Sequence, residues 1–244
     1  YAGSVLEGIG LALVMTMDGY YMALNSTKET YGRHSALLWM LTSSNNIFSG
    51  IFLLVLFSAT HATIYTRTLT NIIYGTFTGV ALVGNFIFLF LRSSPREKED
   101  RERMRNNYRQ ELADTFRLLP TKRMLFLAIP YAFSGMHGSF FSTIYPSALS
   151  FTDEFSLSPK IMIGVSNLSL GIGQAIGCSL VIYFDRFIER KGRFNVMIMM
   201  AVFEVTAVVI IGLELPDNAN LGATTTAALV DPSPVFCSLA SFFF

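Results

Sequence analysis

Sixteen of the 18 Lys and Arg residues lie in alternate connections between long apolar stretches, the pattern of a chain threaded through a membrane. The stretches run over 3 to 24, 35 to 58, 70 to 92, 123 to 149, 161 to 184 and 194 to 215. As helices rising about 1.5 Å per residue, each can cross a hydrocarbon core of ~30 Å. The connections 25 to 34, 93 to 122 and 185 to 193 then share one side. They and their edges hold Lys28, Arg33, the ten basic residues from Arg92 to Arg123 inclusive, and Arg186, Arg190, Lys191 and Arg193. The excess of positive charge makes that side cytoplasmic. The opposite connections contribute only Arg67 and Lys160.

Composition agrees. With 52% hydrophobic and 14% charged residues, against about 25% charged in soluble domains, the chain has too few polar side chains to solvate a globule. The lipid bilayer is its first partner. The net charge of +1 gives no footprint for nucleic acid, because topology already accounts for the basic residues. Cys178 and Cys237 both fall in apolar segments and read as packing residues, so neither a disulfide framework nor a metal site is expected. No basic n-region marks a signal peptide. The chain begins without Met just before a spanning helix, and its last apolar run, 235 to 244, is too short to cross a bilayer. The expectation is an internal piece of a longer polytopic protein.

The long polar stretch 93 to 122 divides the chain. It separates three transmembrane helices (1 to 92, the second half of one bundle) from three more plus a truncated fourth (123 to 244, the first part of another). Within the stretch, Glu97/Arg101 and Glu99/Arg103 stand at i, i+4, which puts opposite charges on one helix face. A cytoplasmic surface helix over 97 to 119 follows. It is either a solvated linker or, through Phe116, Leu118 and Leu119, an amphipathic lipid-binding element. In the helix 161 to 184, Gly173 and Gly177 form a G-x-x-x-G pair that permits close helix approach. The spacing is not a dinucleotide fingerprint, and no strand precedes it.

A carboxylate inside the membrane costs roughly 2.5 to 3.5 kcal/mol, so each one calls for a partner or a pathway. Asp18, beside Tyr20 and Tyr21, leads. It is either a hydrogen-bonded residue reaching the inner interface or a group that serves gating, proton coupling or substrate contact. Glu204, in the middle of 194 to 215, reads as a structural bond, and Glu7 as a residue that snorkels or pairs near the outer end. Ser43, Ser44, Asn45 and Asn46 form a polar band, and Asn167 and Gln174 share a face seven residues apart. Tyr131, Ser134, Gly138, Ser142 and Tyr145 make a stripe in 123 to 149 that should face protein or water. Interhelical bonding and cavity lining both explain these groups. His137 reads as a hydrogen-bonded packing residue.

Enzyme signatures are absent. There is no H-E-x-x-H, no G-x-S-x-G, no Cys/His pair and no carboxylate dyad with Asp18, and no cofactor is expected. The sequon Asn25-Ser26-Thr27 falls on the cytoplasmic side and Asn167-Leu168-Ser169 inside a helix, so neither should carry sugar.

The stretch T-M-D-G-Y-Y-M-A-L-N-S-T-K-E-T-Y-G-R-H-S-A-L-L-W resembles the signature after the fourth helix of the uncoordinated-93-like proteins, an ion-channel-regulatory branch of the major facilitator superfamily. Thr16, Gly19, Asn25, Ser26, Thr30, Gly32, Arg33, Ser35 and Trp39 carry the match. I-G-V-S-N-L-S-L-G-I-G-Q-A-I-G-C-S-L is similar to the eighth helix, through Ile163, Gly164, Ser166, Gly171, Ile172, Gly173, Gly177, Ser179 and Leu180. Gly192, Arg193 and Pro216 also align, and the nearest likeness is to the major facilitator domain-containing protein 11 branch. The resemblance implies an all-α polytopic membrane protein of the major facilitator superfamily fold, covering about helices four to nine and the start of ten of twelve. It implies a non-enzymatic role: regulation or trafficking of a channel or receptor, or, as the alternative, secondary transport of a small solute. Two positions depart from the pattern. Asp18 stands where Gln is usual, and Gln174 where near relatives carry an acid. The segment 185 to 193, with Asp185, Arg186, Gly192 and Arg193, loosely resembles the superfamily's cytoplasmic D-R-x-G-R-R motif.

Overall fold

The computed structural model describes residues 2–27, 29–60, 66–90, 109–110, 113–114, 116–152, 158–191, 194–216, 228–231 and 233–243. Every regular element among them is helical: α1 (Ala2–Asn25), α2 (Tyr31–Thr60), α3 (Arg67–Phe88), α4 (Lys122–Ser139), α5 (Tyr145–Phe151), α6 (Pro159–Lys191), α7 (Phe194–Glu214) and α8 (Pro234–Phe243). Five helices are long and apolar enough to cross a membrane: Tyr31–Thr60, Arg67–Phe88, Lys122–Phe151, Lys160–Phe184 and Phe194–Glu214. The first expected crossing, α1, has the length at 24 residues. It is not among the five, because Glu7, Asp18, Tyr20 and Tyr21 dilute its apolar run.

Local chemistry explains the helix starts. Thr66 accepts the Leu69 N–H at 3.3 Å as the N-cap of α3, and Thr121 accepts the Met124 N–H at 3.4 Å ahead of α4. Ser-Pro pairs open α6 and α8, with Pro159 and Pro234 in the first helical position, where a missing N–H costs nothing. Ser233 Oγ accepts the Val235 N–H at 3.3 Å.

The span Lys122–Phe151 is not one regular helix. Between α4 and α5, Phe140–Ile144 form a π turn, with the Tyr145 N–H bonded to the Phe140 carbonyl. Pro146 lacks an N–H and its ring crowds the carbonyl four residues back, and the wider turn relieves that conflict. The extra residue rotates everything after it. The expected stripe is therefore broken: Tyr131 is 71% exposed and Tyr145 is 1% exposed. Ser142 did not need a protein-facing position either, since its hydroxyl donates to the Gly138 carbonyl at 2.7 Å. Thr42, Ser43, Ser139, Ser147 and Ser179 bond carbonyls of their own helices in the same way. Such back-bonding lets hydroxyls sit in a membrane without an interhelical partner.

The chain falls into two compact units, Tyr1–Thr27 with Ala62–Ile129, and Lys28–His61 with Pro130–Phe244. The first holds α1, α3 and the start of α4, whose apolar side chains are largely open along α1 and α3. The second holds the core: Phe141, Tyr145, Leu149, Met162, Ala207, Ile211, Cys237 and Ala240.

Within the second unit α2 and α6 run antiparallel and very close, with side chains of each helix seated in glycine notches of the other. A Cβ on Gly50 would lie 2.6 Å from the Leu168 nitrogen, one on Gly164 2.9 Å from Leu54 Cγ, and one on Gly171 2.7 Å from the Ile47 nitrogen. The expected Gly173–Gly177 pair does not form one interface. Gly173 meets the Phe242 carbonyl of α8, while Gly177 faces open space. The spacing that serves α2 is Gly164 to Gly171, two helical turns apart.

The segment 185 to 193, expected as a loop, begins as the last turns of α6, which continues to Lys191 because no Pro or Gly interrupts it before Gly192. Gly192 and Arg193 lie outside the described residues. So does Lys28, along with most of the expected surface helix 97 to 119. Its described parts, 109–110, 113–114 and 116–118, are helical, and Arg117 Nη1 lies 3.5 Å from Asp114 Oδ1 on an exposed face.

Candidate functional site

Three polar groupings lie inside the second unit, each joining helices. The first crosses the α2–α6 seam, where Asn46 Nδ2 donates to Gln174 Oε1 at 3.1 Å. The glycine notches bring the two backbones close enough for these short amides to meet. Further along the seam, Ser179 Oγ, whose proton goes to the Ala175 carbonyl at 2.7 Å, lies 3.6 Å from Met40 Sδ. Asn45 is exposed, turned from Asn46 by the helix period, and Asn167 is half-buried. The polar band of α2 is thus split, with only part of it on the seam.

The second grouping bridges α4 and α7. His137 Nε2 lies 2.9 Å from Glu204 Oε1, with both side chains about a quarter exposed. The two atoms are within ion-pair distance whenever the imidazole carries a second proton. Phe133 stacks on the imidazole and Phe141 meets it edge-on.

The third grouping was not legible from the sequence. Glu214, the last residue of α7, is 3% exposed. One carboxylate oxygen accepts the Ser233 N–H at 3.3 Å, and the other accepts the Cys237 S–H at 3.2 Å. The Cys237 carbonyl accepts both the Tyr145 hydroxyl and Ser241 Oγ at 3.0 Å. Ser241 Oγ is in turn 2.8 Å from Ser166 Oγ. One polar thread therefore ties α5, α6, α7 and α8. Glu214 reads as a helix boundary in sequence because it ends an apolar run, and the usable signal was the Pro146 break that turns Tyr145 inward.

Asp18 and Tyr20 lie on α1 in the other unit, half-buried. Asp18 has no hydrogen bond or ion pair to another described residue. Among the signature residues, Thr16 Oγ1 bonds the Ala12 carbonyl and Asn25 Nδ2 the Tyr21 carbonyl, each at 2.8 Å. A Cβ on Gly19 would meet open space, and Trp39 is 55% exposed. Gly32, Ser26 and Arg33 lie in or beside the α1–α2 turn. The backbones of Asp185 and Arg186 belong to α6.

An open hollow of about 380 Å³ lies between α6 and α8, lined by Ser169, Pro234, Val235, Ser238, Leu239 and Phe242. Its lining is mainly apolar, so the polar groupings rather than the hollow carry the recognisable chemistry. Among the described residues no cluster of His, Cys, Asp or Glu is arranged to hold a metal.

Five helices long and apolar enough to cross a membrane, with polar contacts between those of the second unit, define an integral, multi-pass membrane protein. The chain belongs to the UNC-93 family, since the model of the ion channel regulatory protein UNC-93 matches residues 1–244. It is 26% identical to the UNC93-like protein MFSD11 of Xenopus laevis and 25% identical to that of Xenopus tropicalis. Each match covers 99% of this chain and 58% of the relative, so the chain spans less than two thirds of the curated relatives' length. No solved structure matches it significantly. The all-α, polytopic architecture of the major facilitator type expected from the sequence is the one found.

Proposed function

We propose that the protein of which this chain forms a part is a non-enzymatic regulator or trafficking partner of another membrane protein, a channel or a receptor. The observation that carries this reading is the match of the ion channel regulatory family model across residues 1–244. The antiparallel α2–α6 seam and the polar thread through Glu214 support it, because they make a rigid membrane-embedded body that can present one surface to a partner. The test is removal of the full-length protein from its source cells, followed by surface biotinylation. A channel or receptor that co-purifies with the protein should fall in surface abundance and recover on re-expression. Unchanged surface levels of every co-purifying membrane protein would overturn the reading.

A second reading, alternating-access transport of a small solute, is favoured by the polar pairs Asn46–Gln174 and His137–Glu204, each between two helices at membrane depth. A transporter needs a polar pocket whose occupancy biases two conformations. Asp18, Tyr20, Asn45 and Asn167 are its further candidate contacts. Uptake of a solute into vesicles that hold only the purified full-length protein would select this reading over the first.

We also propose that 25–34, 93–122 and 185–193 are cytoplasmic, on the strength of the basic residues they carry. A single Cys placed at Asn106, in a background free of other cysteines, should react with a membrane-impermeant maleimide only after permeabilisation. Labelling in intact cells would reverse the orientation.

A further inference from the structure

His137 and Glu204 stand at mid-depth in their spans. Glu204 is at the centre of the 21-residue α7, and His137 is near the middle of the 30-residue span Lys122–Phe151. At that depth a net charge is most costly, roughly 2.5 to 3.5 kcal/mol by insertion measurements. The close contact of the imidazole and carboxylate links their protonation states. With two protons the pair is a cation, and with none it is an anion. With one proton it has no net charge, whether that proton sits on the imidazole as an ion pair or on the carboxyl beside a neutral ring. Phe133 and Phe141 flank the imidazole with ring centroids 5.7 and 5.3 Å away, and neither offers a hydrogen-bonding atom to a carboxylate left without its proton. Of the other titratable groups nearby, Tyr131 on α4 is 71% exposed and six residues before His137. Tyr145, Cys237 and Glu214 bond one another, and Glu214 is ten residues, about 15 Å, further along the helix axis.

We infer that His137 and Glu204 together form a single-proton binding site at mid-membrane depth, bridging α4 and α7, which exchanges its proton with water. Release of the proton to water leaves a lone carboxylate, and uptake of a second leaves a lone imidazolium. Either product is stabilised only where water reaches it, so proton exchange is tied to separation of the two helices. The site stands under either reading of function.

The experiment uses full-length protein in lipid nanodiscs with ¹⁵N-labelled histidine, titrated over roughly pH 5 to 9 around the ordinary imidazole range. His137 is assigned by its loss in His137→Gln. In Glu204→Gln the proton affinity of His137 should change at least tenfold, a shift of about one pH unit. By reciprocity, the infrared carboxyl signal that disappears in Glu204→Gln should move by the same factor in His137→Gln. If Glu204→Gln does not fold, the infrared signal of wild type against His137→Gln, assigned by Glu204→Asp, decides alone. Changes of less than about twofold in both directions would mean two independent groups in contact and would overturn the proposal.

Discussion

Alanine at Gly50 is expected to destabilise the full-length protein by about 1 to 3 kcal/mol, the range for added bulk in a packed interface. The new Cβ would stand 2.6 Å from the Leu168 nitrogen and 2.9 Å from its Cα. Both are backbone atoms in the middle of α6, so no side chain can swing aside and the two helices must part. Gly171→Ala should behave alike, since the Ile47 nitrogen and Cγ1 both lie at 2.7 Å. Gly164→Ala should cost less, because its contacts with Leu54 are longer, with Cγ at 2.9 Å and the backbone nitrogen at 3.1 Å. Gly177→Ala meets open space and should be neutral or stabilising by about 0.5 to 1 kcal/mol, as expected for replacing a mid-helix glycine. Thermal unfolding in detergent, followed by loss of the monodisperse peak, ranks the four. Equal destabilisation by Gly177→Ala and Gly50→Ala would refute the seam. Lost Asn46–Gln174 bonding adds to the Gly171 effect, because Asn46 sits beside the Ile47 contact and the two cannot be independent.

The positions of the helices were legible because the cost of burying backbone polar groups in lipid forces long apolar runs. The runs at 123 to 149 and 194 to 215 correspond closely to the spans Lys122–Phe151 and Phe194–Glu214. Which helix faces which was not legible. The periodicity of a helix says that Asn167 and Gln174 share a face, and is silent on the helix opposite. The contacts Asn46–Gln174, His137–Glu204 and Tyr145–Cys237 join residues 67 to 128 positions apart, and a single sequence carries no trace of such pairing. The choice of Gly173 and Gly177 as a pair held at Gly173 and not at Gly177 for the same reason. Small residues mark where a helix can be approached, and the approach comes from α2 at Gly164 and Gly171 but from α8 at Gly173. The π turn escaped notice because periodicity assumes one constant rotation per residue, and Pro146 was the local sign that the assumption ends there.

Tyr145 tests the consequence of that turn. Without the extra residue its side chain would continue the exposed face of Tyr131, and with it the ring enters the core. Phe140 and Phe141 stand at centroid distances of 6.5 and 5.7 Å. Truncation of a buried aromatic to alanine costs about 3 to 5 kcal/mol in water-soluble proteins. In a bilayer the lipid chains are as apolar as the core, so the transfer share shrinks while the loss of packing contacts remains. Tyr145→Ala is therefore expected near the lower end, about 3 kcal/mol. Tyr145→Phe isolates the hydroxyl. Its partner, the Cys237 carbonyl, keeps the bond from Ser241 Oγ at 3.0 Å and is not left without a donor. The cost should be about 0.6 kcal/mol, the average of interhelical hydrogen bonds in a membrane protein. Reversible unfolding in mixed micelles with increasing dodecyl sulfate reads both variants. Should phenylalanine prove as damaging as alanine, the polar thread through Cys237 rather than the packed ring holds α5 to α8; should both be neutral, Tyr145 is not in the core at all.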